Sequence, residues 1–458
     1  QLRRALEAAR TTNNLYQQIR VLLQLSTVAR FTGQTDEAKQ LATEAIDLAR
    51  TNEIENLTTQ GLIDLGNVFY ARGQTGEAEG YFKQALEFAR QNKGRRNEAR
   101  ALLSLASLHI QQEDPDGALQ YIEQAMPFYR QGGYRKETSQ ALTLLGQANV
   151  LKGNYQEARS TYEQKLQLAQ QVNDPSEIAS SQMQIGNVLA RQELYPEALR
   201  YFTESYAIYN SQRNQLNNGY ALMNQAEMQW QLGHYHEANA LLAQAFSIAE
   251  QPEGSFKQLL PQTYVISSKI LLSQRRFPEA EAEGRKALAL AGGQDRRTIA
   301  EAKYTLGMAY GLSGAARDGR QLCEEAFEMA KGAADQWLLS AALLALSETM
   351  LESRDAQGAL DAALQAQGVF SRTGQQESEW RALLAAGRAS QLLKDDVAAR
   401  DHLARATSLL SSLQQKWGAE EFNGYLTRPD IQSYHKQLNQ LSIQAQSEHS
   451  NNSNRKEK

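Results

Sequence analysis

The sequence predicts an all-α protein, an α-solenoid of about ten helical hairpins with a C-terminal helical cap. Three observations predict it: a pattern that returns every 40 residues, small residues at fixed places in each repeat, and a helix-forming composition. The 458 residues include only 8 prolines and 30 glycines, and they are rich in Ala, Leu, Gln, Glu and Arg. Most of these are strong helix formers, so helix is favoured over sheet.

The repeat is marked by one residue slot near the start of its second helix. The slot is occupied by Ala38, Ala78, Ala118, Ala158, Ala198, Ala238, Ala280, Gly319, Ala359 and Ala399. A small residue lies twelve positions before every slot, for example Gly66 and Gly186, and another usually lies seven positions after it. Small side chains let two helices cross closely, so each repeat is predicted to be a helix A followed by a helix B.

The pattern resembles the tetratricopeptide-repeat (TPR) family between residues 17 and 416. That family has a small residue in helix A, an alanine opening helix B, an aromatic residue one turn later and a second alanine beyond. The period exceeds the usual 34 residues, which implies longer helices or linkers, as in Leu-Gly-Asn-repeat polarity adaptors and kinesin light chains. Leu65-Gly66-Asn67 and Ile185-Gly186-Asn187 look like that variant's motif, while Leu145-Gly146-Gln147 departs at its third place. The resemblance implies a right-handed α-solenoid that binds proteins.

The pattern also predicts where the chain divides. Residues 1–16 align with the end of a helix B, so we expect a truncated preceding repeat there. Repeats 1–6 occupy residues 17–250, and the more irregular repeats 7–10 occupy 251–416. We expect looser packing in repeats 7–9, and a hinge near 251–262, where Pro252, Gly254 and Pro261 cluster. Residues 417–446 are predicted to form a helical cap over the end of the stack, and 447–458 a disordered tail.

Composition and charge exclude several classes of function. The 48 basic and 52 acidic residues give a net charge of −4, which is not typical of a nucleic-acid-binding protein. No apolar stretch is long enough to span a membrane. The single cysteine, Cys323, is expected to be a buried, inert thiol, and its being alone fits a reducing, cytoplasmic compartment.

No motif of catalytic residues is recognisable, so the sequence predicts no enzymatic activity, no cofactor and no metal site. His234 and His236 flank Tyr235 in a turn, but no further Cys or His lies nearby to complete a metal site.

The predicted functional surface is the concave groove lined by helix A. Groove-facing positions fall eighteen, fifteen, eleven and eight residues before each slot, and Leu23 and Ile63 among them are assigned to packing. A wall of amides, arginines and aromatic residues suits an extended peptide or protein partner. The predicted peptide-binding residues are Arg20, Asn67, Tyr70, Arg100, Gln147, Asn187, Arg191, Tyr220, Glu227 and Trp230.

Two alternatives remain open beside a scaffold or adaptor. The segment WGAEEFNGYLTRPDIQ looks like the end of TPR-bearing bacterial Ser/Thr kinases, so the chain could be the sensory or docking region of a larger signalling enzyme. The exposed ends of the solenoid could instead support self-association into a structural assembly. Sequence upstream of Gln1 would distinguish these alternatives.

Overall fold

In the computed structural model of the protein, the described residues are 1–251, 256–293 and 295–456, with side chains described as far as residue 444. These residues form helices and contain no β-strand, which confirms the all-α prediction. The chain divides into two compact units, residues 1–149 and residues 150–458, called unit 1 and unit 2 below.

Unit 1 consists of one helix, three complete hairpins and most of the first helix of a fourth. Its helices are α1 (Leu2–Thr11), α2 (Leu15–Phe31), α3 (Thr35–Thr51), α4 (Glu55–Ala71), α5 (Thr75–Gln91), α6 (Arg95–Gln111), α7 (Pro115–Gln131) and α8 (Arg135–Lys152). Hairpin 1 is formed by α2 and α3, and the even-numbered helices from α2 onwards are the A helices. Contacts between α2 and α4 and between α4 and α6 place the A helices side by side.

Unit 2 contains the second helix of hairpin 4 and six further hairpins. Its repeat helices are α9 (Tyr155–Gln171), α10 (Pro175–Arg191), α11 (Tyr195–Ser211), α12 (Gln215–Gln231), α13 (Tyr235–Ala249), α14 (Leu260–Ser273), α15 (Phe277–Leu290), α16 (Arg296–Ser313), α17 (Ala316–Lys331), α18 (Gln336–Glu352), α19 (Ala356–Thr373), α20 (Gln376–Leu392) and α21 (Asp396–Trp417). A short 3₁₀ turn, Lys257–Leu259, precedes α14, and α22 (Ala419–Leu426) and α23 (Pro429–Lys456) follow the last hairpin.

Helix length explains the 40-residue period. Helices α2 to α7 have 17 residues each, and three residues separate each of them from the next. One residue of every such turn is left-handed, either glycine, as at Gly33 (φ 77°), or a polar residue, as at Glu53 (φ 52°). The additional residues relative to the usual TPR therefore lengthen the helices, while the turns stay short.

The predicted small residues lie where helices A and B cross. A Cβ atom added at Gly66 would lie 2.5 Å from the ring of Phe82, and one at Gly186 would lie 2.6 Å from the ring of Phe202. At Ser26 and Ser268 the hydroxyl joins the two helices: Ser26 Oγ donates to the carbonyl of Ala38 and Ser268 Oγ to that of Ala280, each over 2.7 Å. The small residues at the crossing therefore determine which turns of helix A and helix B pack against each other.

The later hairpins are irregular in helix length, but hairpin 8 is not loosely packed. Helices α14 and α15 have only 14 residues each. In hairpin 8, a Cβ atom added at Gly319 would lie 2.5 Å from the carbonyl oxygen of Gly307, so α16 and α17 are in backbone contact. The prediction of looser packing is wrong here, because glycine brings helices closer together. Of the predicted hinge, Pro252 and Gly254 lie outside the described residues, and Pro261 lies in the first turn of α14.

The C-terminal segment packs along the A-helix side of unit 2. Helix α23 begins at Pro429, and it buries Ile431, Tyr434 and Leu438. It contacts α21, and it also contacts α14 and α20, the A helices of hairpins 7 and 10. The sequence predicts only a cap over the end of the stack. In the structure, the segment also packs against A helices of hairpins 7 and 10.

Helix α23 continues to Lys456, whereas the sequence predicts a disordered tail from residue 447. A helix is held by its backbone hydrogen bonds, so apolar periodicity alone does not show where it ends. Residues 457 and 458 lie outside the described residues.

Candidate functional site: a basic cleft on the A helices of unit 1

The A helices of hairpins 1 to 3 line a cleft of about 950 Å³ in unit 1. All the lining residues belong to α2, α4 and α6 or to the residues just before them, and no B helix contributes. They are Tyr16, Arg20, Leu23, Gln24, Thr27, Arg30, Asn56, Leu57, Gln60, Asp64, Gly94, Arg95, Arg96, Asn97 and Arg100. The cleft combines amides, hydroxyls and guanidinium groups with a few apolar side chains, which is the composition expected of a peptide-binding wall.

The cleft is strongly basic, with five arginines and one acidic residue. Arg96 is paired with Glu137 over 3.3 Å. For the other four, Arg20, Arg30, Arg95 and Arg100, no carboxylate oxygen among the described residues lies within 4.0 Å. Arg20 and Arg30 lie against the rings of Tyr16 and Phe31, at 5.9 and 4.1 Å from the ring centroids. These guanidinium groups can therefore bind an anionic ligand without breaking a close ion pair, although Arg30 and Arg100 also interact electrostatically with Asp64.

Asp64 is the acidic residue of the cleft. Gln60 Nε2 donates a hydrogen bond to its Oδ1 over 2.8 Å. Burial raises the pKa of Asp64 to about 6, although Arg100, Gln60 and Arg30 act in the opposite direction. The carboxyl group therefore titrates close to neutral pH, and its protonation makes the cleft more positive.

The structure brings only part of the predicted site together. Arg20 and Arg100 line the cleft, as do Leu23 and Arg30 at predicted groove positions. Asn67 and Tyr70 are half-buried on α4 outside the cleft, and Tyr70 packs against the core of unit 1. Gln147 is exposed on α8.

In hairpin 2 the lining residues are Asn56, Leu57, Gln60 and Asp64, and of these only Gln60 is at a predicted groove position. The predicted spacing therefore missed Asp64. Apart from Glu55 at its first position, Asp64 is the only charged residue of α4, and this isolation in a largely apolar helix was a signal of a special position.

In unit 2 the predicted residues are mostly engaged within the protein. Asn187 is exposed, and its Oδ1 accepts from Asn224 Nδ2 over 3.2 Å, while Tyr220 is 38% exposed. Arg191 is only 8% exposed and donates to both carboxylate oxygens of Asp335 over 3.0 and 3.2 Å. The prediction that Arg191 faces an open groove is wrong, because its guanidinium is already saturated by a buried partner.

Trp230 is also a packing residue, contrary to the prediction. It is 7% exposed, and its Nε1 donates to Ser273 Oγ over 2.8 Å. The guanidinium of Arg428 lies 5.0 Å from the centroid of its ring. The indole is therefore enclosed by its own chain and has no free face for a ligand.

Glu227 belongs to a buried charge cluster on the A helices of unit 2. Lys269 Nζ lies 2.6 Å from Glu301 Oε2 and 3.3 Å from Glu227 Oε1. Burial alone would raise the pKa of Glu301, but Lys269 and Arg297 lower it to about 2. The charges of Lys269, Glu227 and Glu301 therefore compensate one another within unit 2.

Two other residues that the sequence analysis considered, Cys323 and His234, are accounted for by their burial and their contacts. Cys323 is fully buried, and burial raises the pKa of its thiol to about 12, which confirms an inert core cysteine. His234 Nδ1 lies 2.8 Å from Gln229 Oε1, and no group of three metal-ligating side chains occurs among the described residues. None of the described helices is both long and apolar enough to cross a membrane.

Family models described as "Tetratricopeptide repeat" match residues 57–131 and 177–251, residues 141–176, and residues 19–52. The matches coincide with the hairpins, and the chain is a tetratricopeptide-repeat protein. In the general sense of that family, it is a protein-interaction scaffold. No curated protein matches the sequence.

Several solved structures are similar in fold. A tetratricopeptide repeat protein from Parabacteroides merdae is 18% identical, with a TM-score of 0.45, covering 64% of this chain and 98% of that chain. A Rap protein complexed with competence and sporulation factor is 13% identical, with a TM-score of 0.47, covering 75% and 99%. A signal transduction ATPase with numerous domains from Pyrococcus horikoshii, which has a tetratricopeptide repeat sensor, is 13% identical, with a TM-score of 0.49, covering 78% and 53%.

Proposed function

We propose that the chain is a non-catalytic adaptor that binds an extended, acidic segment of a partner protein in the basic cleft of unit 1. The observation that carries this proposal is the set of four arginines in one cleft that have no carboxylate oxygen within 4.0 Å among the described residues. Guanidinium groups bind carboxylates through paired, charge-assisted hydrogen bonds, so such a set favours a ligand with several Asp or Glu residues.

The neighbouring side chains favour a peptide as the source of these carboxylates. Gln24, Gln60 and Asn97 can pair with the backbone of an extended chain. Asp64 is unfavourable for a polyphosphate, since a carboxylate in the lining of the cleft repels a uniformly charged backbone. An acidic peptide can place its neutral residues next to Asp64.

Binding in this cleft is compatible both with a free-standing adaptor and with the docking region of a larger signalling enzyme. Self-association through the ends of the solenoid is a separate prediction, which sedimentation of the purified chain tests.

The test is a binding series with fluorescein-labelled peptides of equal length and increasing Glu content. Affinity should rise with Glu content and fall steeply with added salt, because the arginines are partly exposed and screening is effective there. Hydrogen exchange with the tightest peptide should show new protection in α2, α4 and α6. If affinity does not depend on Glu content, or if single-stranded RNA competes more strongly than every peptide, the proposal is wrong.

A further inference from the structure

The turn between α10 and α11 is connected to the start of α20, although the two are far apart in sequence. Glu193 in this turn is 2% exposed, and its carboxyl oxygens accept hydrogen bonds from the backbone N–H of Glu377 over 2.6 Å and of Ser378 over 3.0 Å. The Ser378 hydroxyl donates a third hydrogen bond over 2.7 Å. Glu193 therefore caps α20 from 184 residues away.

The end of α21 is joined to the same turn. Trp417 Nε1 donates to the carbonyl oxygen of Glu193 over 2.6 Å, and Lys416 Nζ donates to that of Gln192 over 2.8 Å. The Trp417 ring packs against Tyr195 at a centroid distance of 5.3 Å. These contacts, together with the capping of α20, are called the clasp below.

The clasp continues into residues 418–444, the C-terminal segment. Tyr425 OH donates to Glu377 Oε1 over 3.0 Å and accepts from Trp380 Nε1 over 3.1 Å. Beyond it, the ring of Tyr434 faces both Trp380 and the guanidinium of Arg381, at 6.5 and 5.2 Å. The C-terminal segment thus occupies the inner side of unit 2 in the manner of a bound ligand, with α23 against α14 and α20.

Two carboxyl groups, those of Glu193 and Glu377, are buried together at the centre of the clasp. Burial and the charge of Glu377 raise the pKa of Glu193 to about 7, against the opposing effects of Lys416 and the Ser378 hydroxyl. The charged or titratable groups around the pair come from several elements: Tyr195 from α11, Arg381 from α20, Lys416 from α21, Tyr425 from α22, and Arg428 before α23.

We propose that the C-terminal segment is a releasable internal ligand of unit 2, and that loss of a proton from Glu193 loosens the clasp that holds it. The segment is suited to release because α22 and α23 belong to none of the ten hairpins, whose helices pack on one another. Its departure would uncover Trp380 and Arg381 on the inner side of unit 2. The proposal is independent of the cleft in unit 1.

The sign of the pH dependence follows from linkage. The closed clasp holds the proton of Glu193 more tightly than an open one, in which the pKa returns to its ordinary value of 4.5. Closure is therefore favoured while Glu193 is protonated, and it weakens as the pH rises through about 7. For these two pKa values, the opening equilibrium should increase about tenfold between pH 6 and pH 8.

The experiment is hydrogen exchange of the full chain at these two pH values, corrected for the intrinsic effect of pH on exchange. Amides of residues 431–441 report opening, and amides of α4 and α6 in unit 1 serve as the internal reference. Protection of 431–441 should fall about tenfold relative to the reference at the higher pH. In Glu193→Gln, which stays neutral, protection should not change with pH, while the matched control Glu157→Gln, altered at an exposed carboxylate of α9, should behave as the parent protein.

Glu377→Gln provides a second variant in case Glu193→Gln does not fold. It removes the neighbouring charge, so the change in protection should move to lower pH. Protection of 431–441 that is independent of pH in the parent protein would overturn the proposal. So would a loss of protection that extends equally through α10 to α16, since unit 2 would then open as a whole.

Discussion

The guanidinium of Arg191 and the carboxylate of Asp335, 144 residues apart, form a buried two-point ion pair over 3.0 and 3.2 Å. Asp335 also accepts from the backbone N–H groups of Trp337 and Leu338, so it caps α18 while it holds the end of α10. Within unit 2, hairpins 5 and 9 are therefore tied to each other directly. Such a contact differs from the nearest-neighbour packing that stabilises most repeat arrays.

Asp335→Ala should destabilise unit 2 by about 3–5 kcal/mol, because it leaves the Arg191 guanidinium buried without a partner. Urea unfolding followed by tryptophan fluorescence measures the change, and the exposed control Glu157→Gln should leave the transition in place. The same ion pair makes the stability of unit 2 depend on pH. Burial would raise the pKa of Asp335, but Arg191 and Arg297 lower it to about 2. The contribution of the pair to the free energy of unfolding is therefore present above the ordinary pKa of 3.8 and is lost as the pH falls towards 2. An unchanged transition in Asp335→Ala would show that the pair is not formed.

Trp230→Phe should destabilise the chain by about 1 kcal/mol, because the hydrogen bond from Nε1 to Ser273 Oγ is lost while most of the ring packing is kept. Trp230→Ala should cost about 3–5 kcal/mol, since a large buried side chain is removed. Denaturant unfolding measures both changes. Binding of an acidic peptide at a concentration where the variants are folded should match the parent protein. A loss of binding without a loss of stability would instead make Trp230 a contact residue, as the sequence predicts.

The fold was predictable because its determinants are local. A helix crossing needs a small residue in every repeat, and Gly66 and Gly186 lie where that requirement predicts, against Phe82 and Phe202.

The candidate site was only partly predictable. Helical periodicity places Arg20, Arg100 and Arg191 on the predicted groove side of their A helices. It does not show which other parts of the chain pack against that side. Asp335 and the C-terminal segment are distant in sequence, so no local pattern could reveal that they enclose Arg191 and Trp230.

Acidic-peptide binding should weaken as the pH rises through about 6, because Asp64 then becomes charged and lowers the positive potential of the cleft, even where neutral residues of the peptide lie next to it. Titrations between about pH 5.5 and pH 7.5 avoid protonation of the peptide's own Glu residues, whose ordinary pKa is about 4.3. Asp64→Asn should bind more tightly at pH 7 and should lose this pH dependence. Asp36→Asn, at an exposed carboxylate of α3 outside the cleft, is the control. If Asp64→Asn keeps the pH dependence of the parent protein, Asp64 does not face the bound peptide.

The most direct test of the basic cleft is the affinity of an acidic peptide for the double variant Arg30→Gln/Arg100→Gln. Neither guanidinium has a carboxylate oxygen within 4.0 Å among the described residues, so their removal should leave the fold intact, although it should raise the pKa of Asp64 further. Each charge-assisted hydrogen bond contributes about 1.5–3 kcal/mol, so losing two should weaken binding by about a hundredfold or more. The control Arg50→Gln removes one exposed arginine from the B helix α3, and it should bind as tightly as the parent protein. Equal affinity of the double variant and the parent, measured by calorimetry on folded protein, would contradict binding in this cleft.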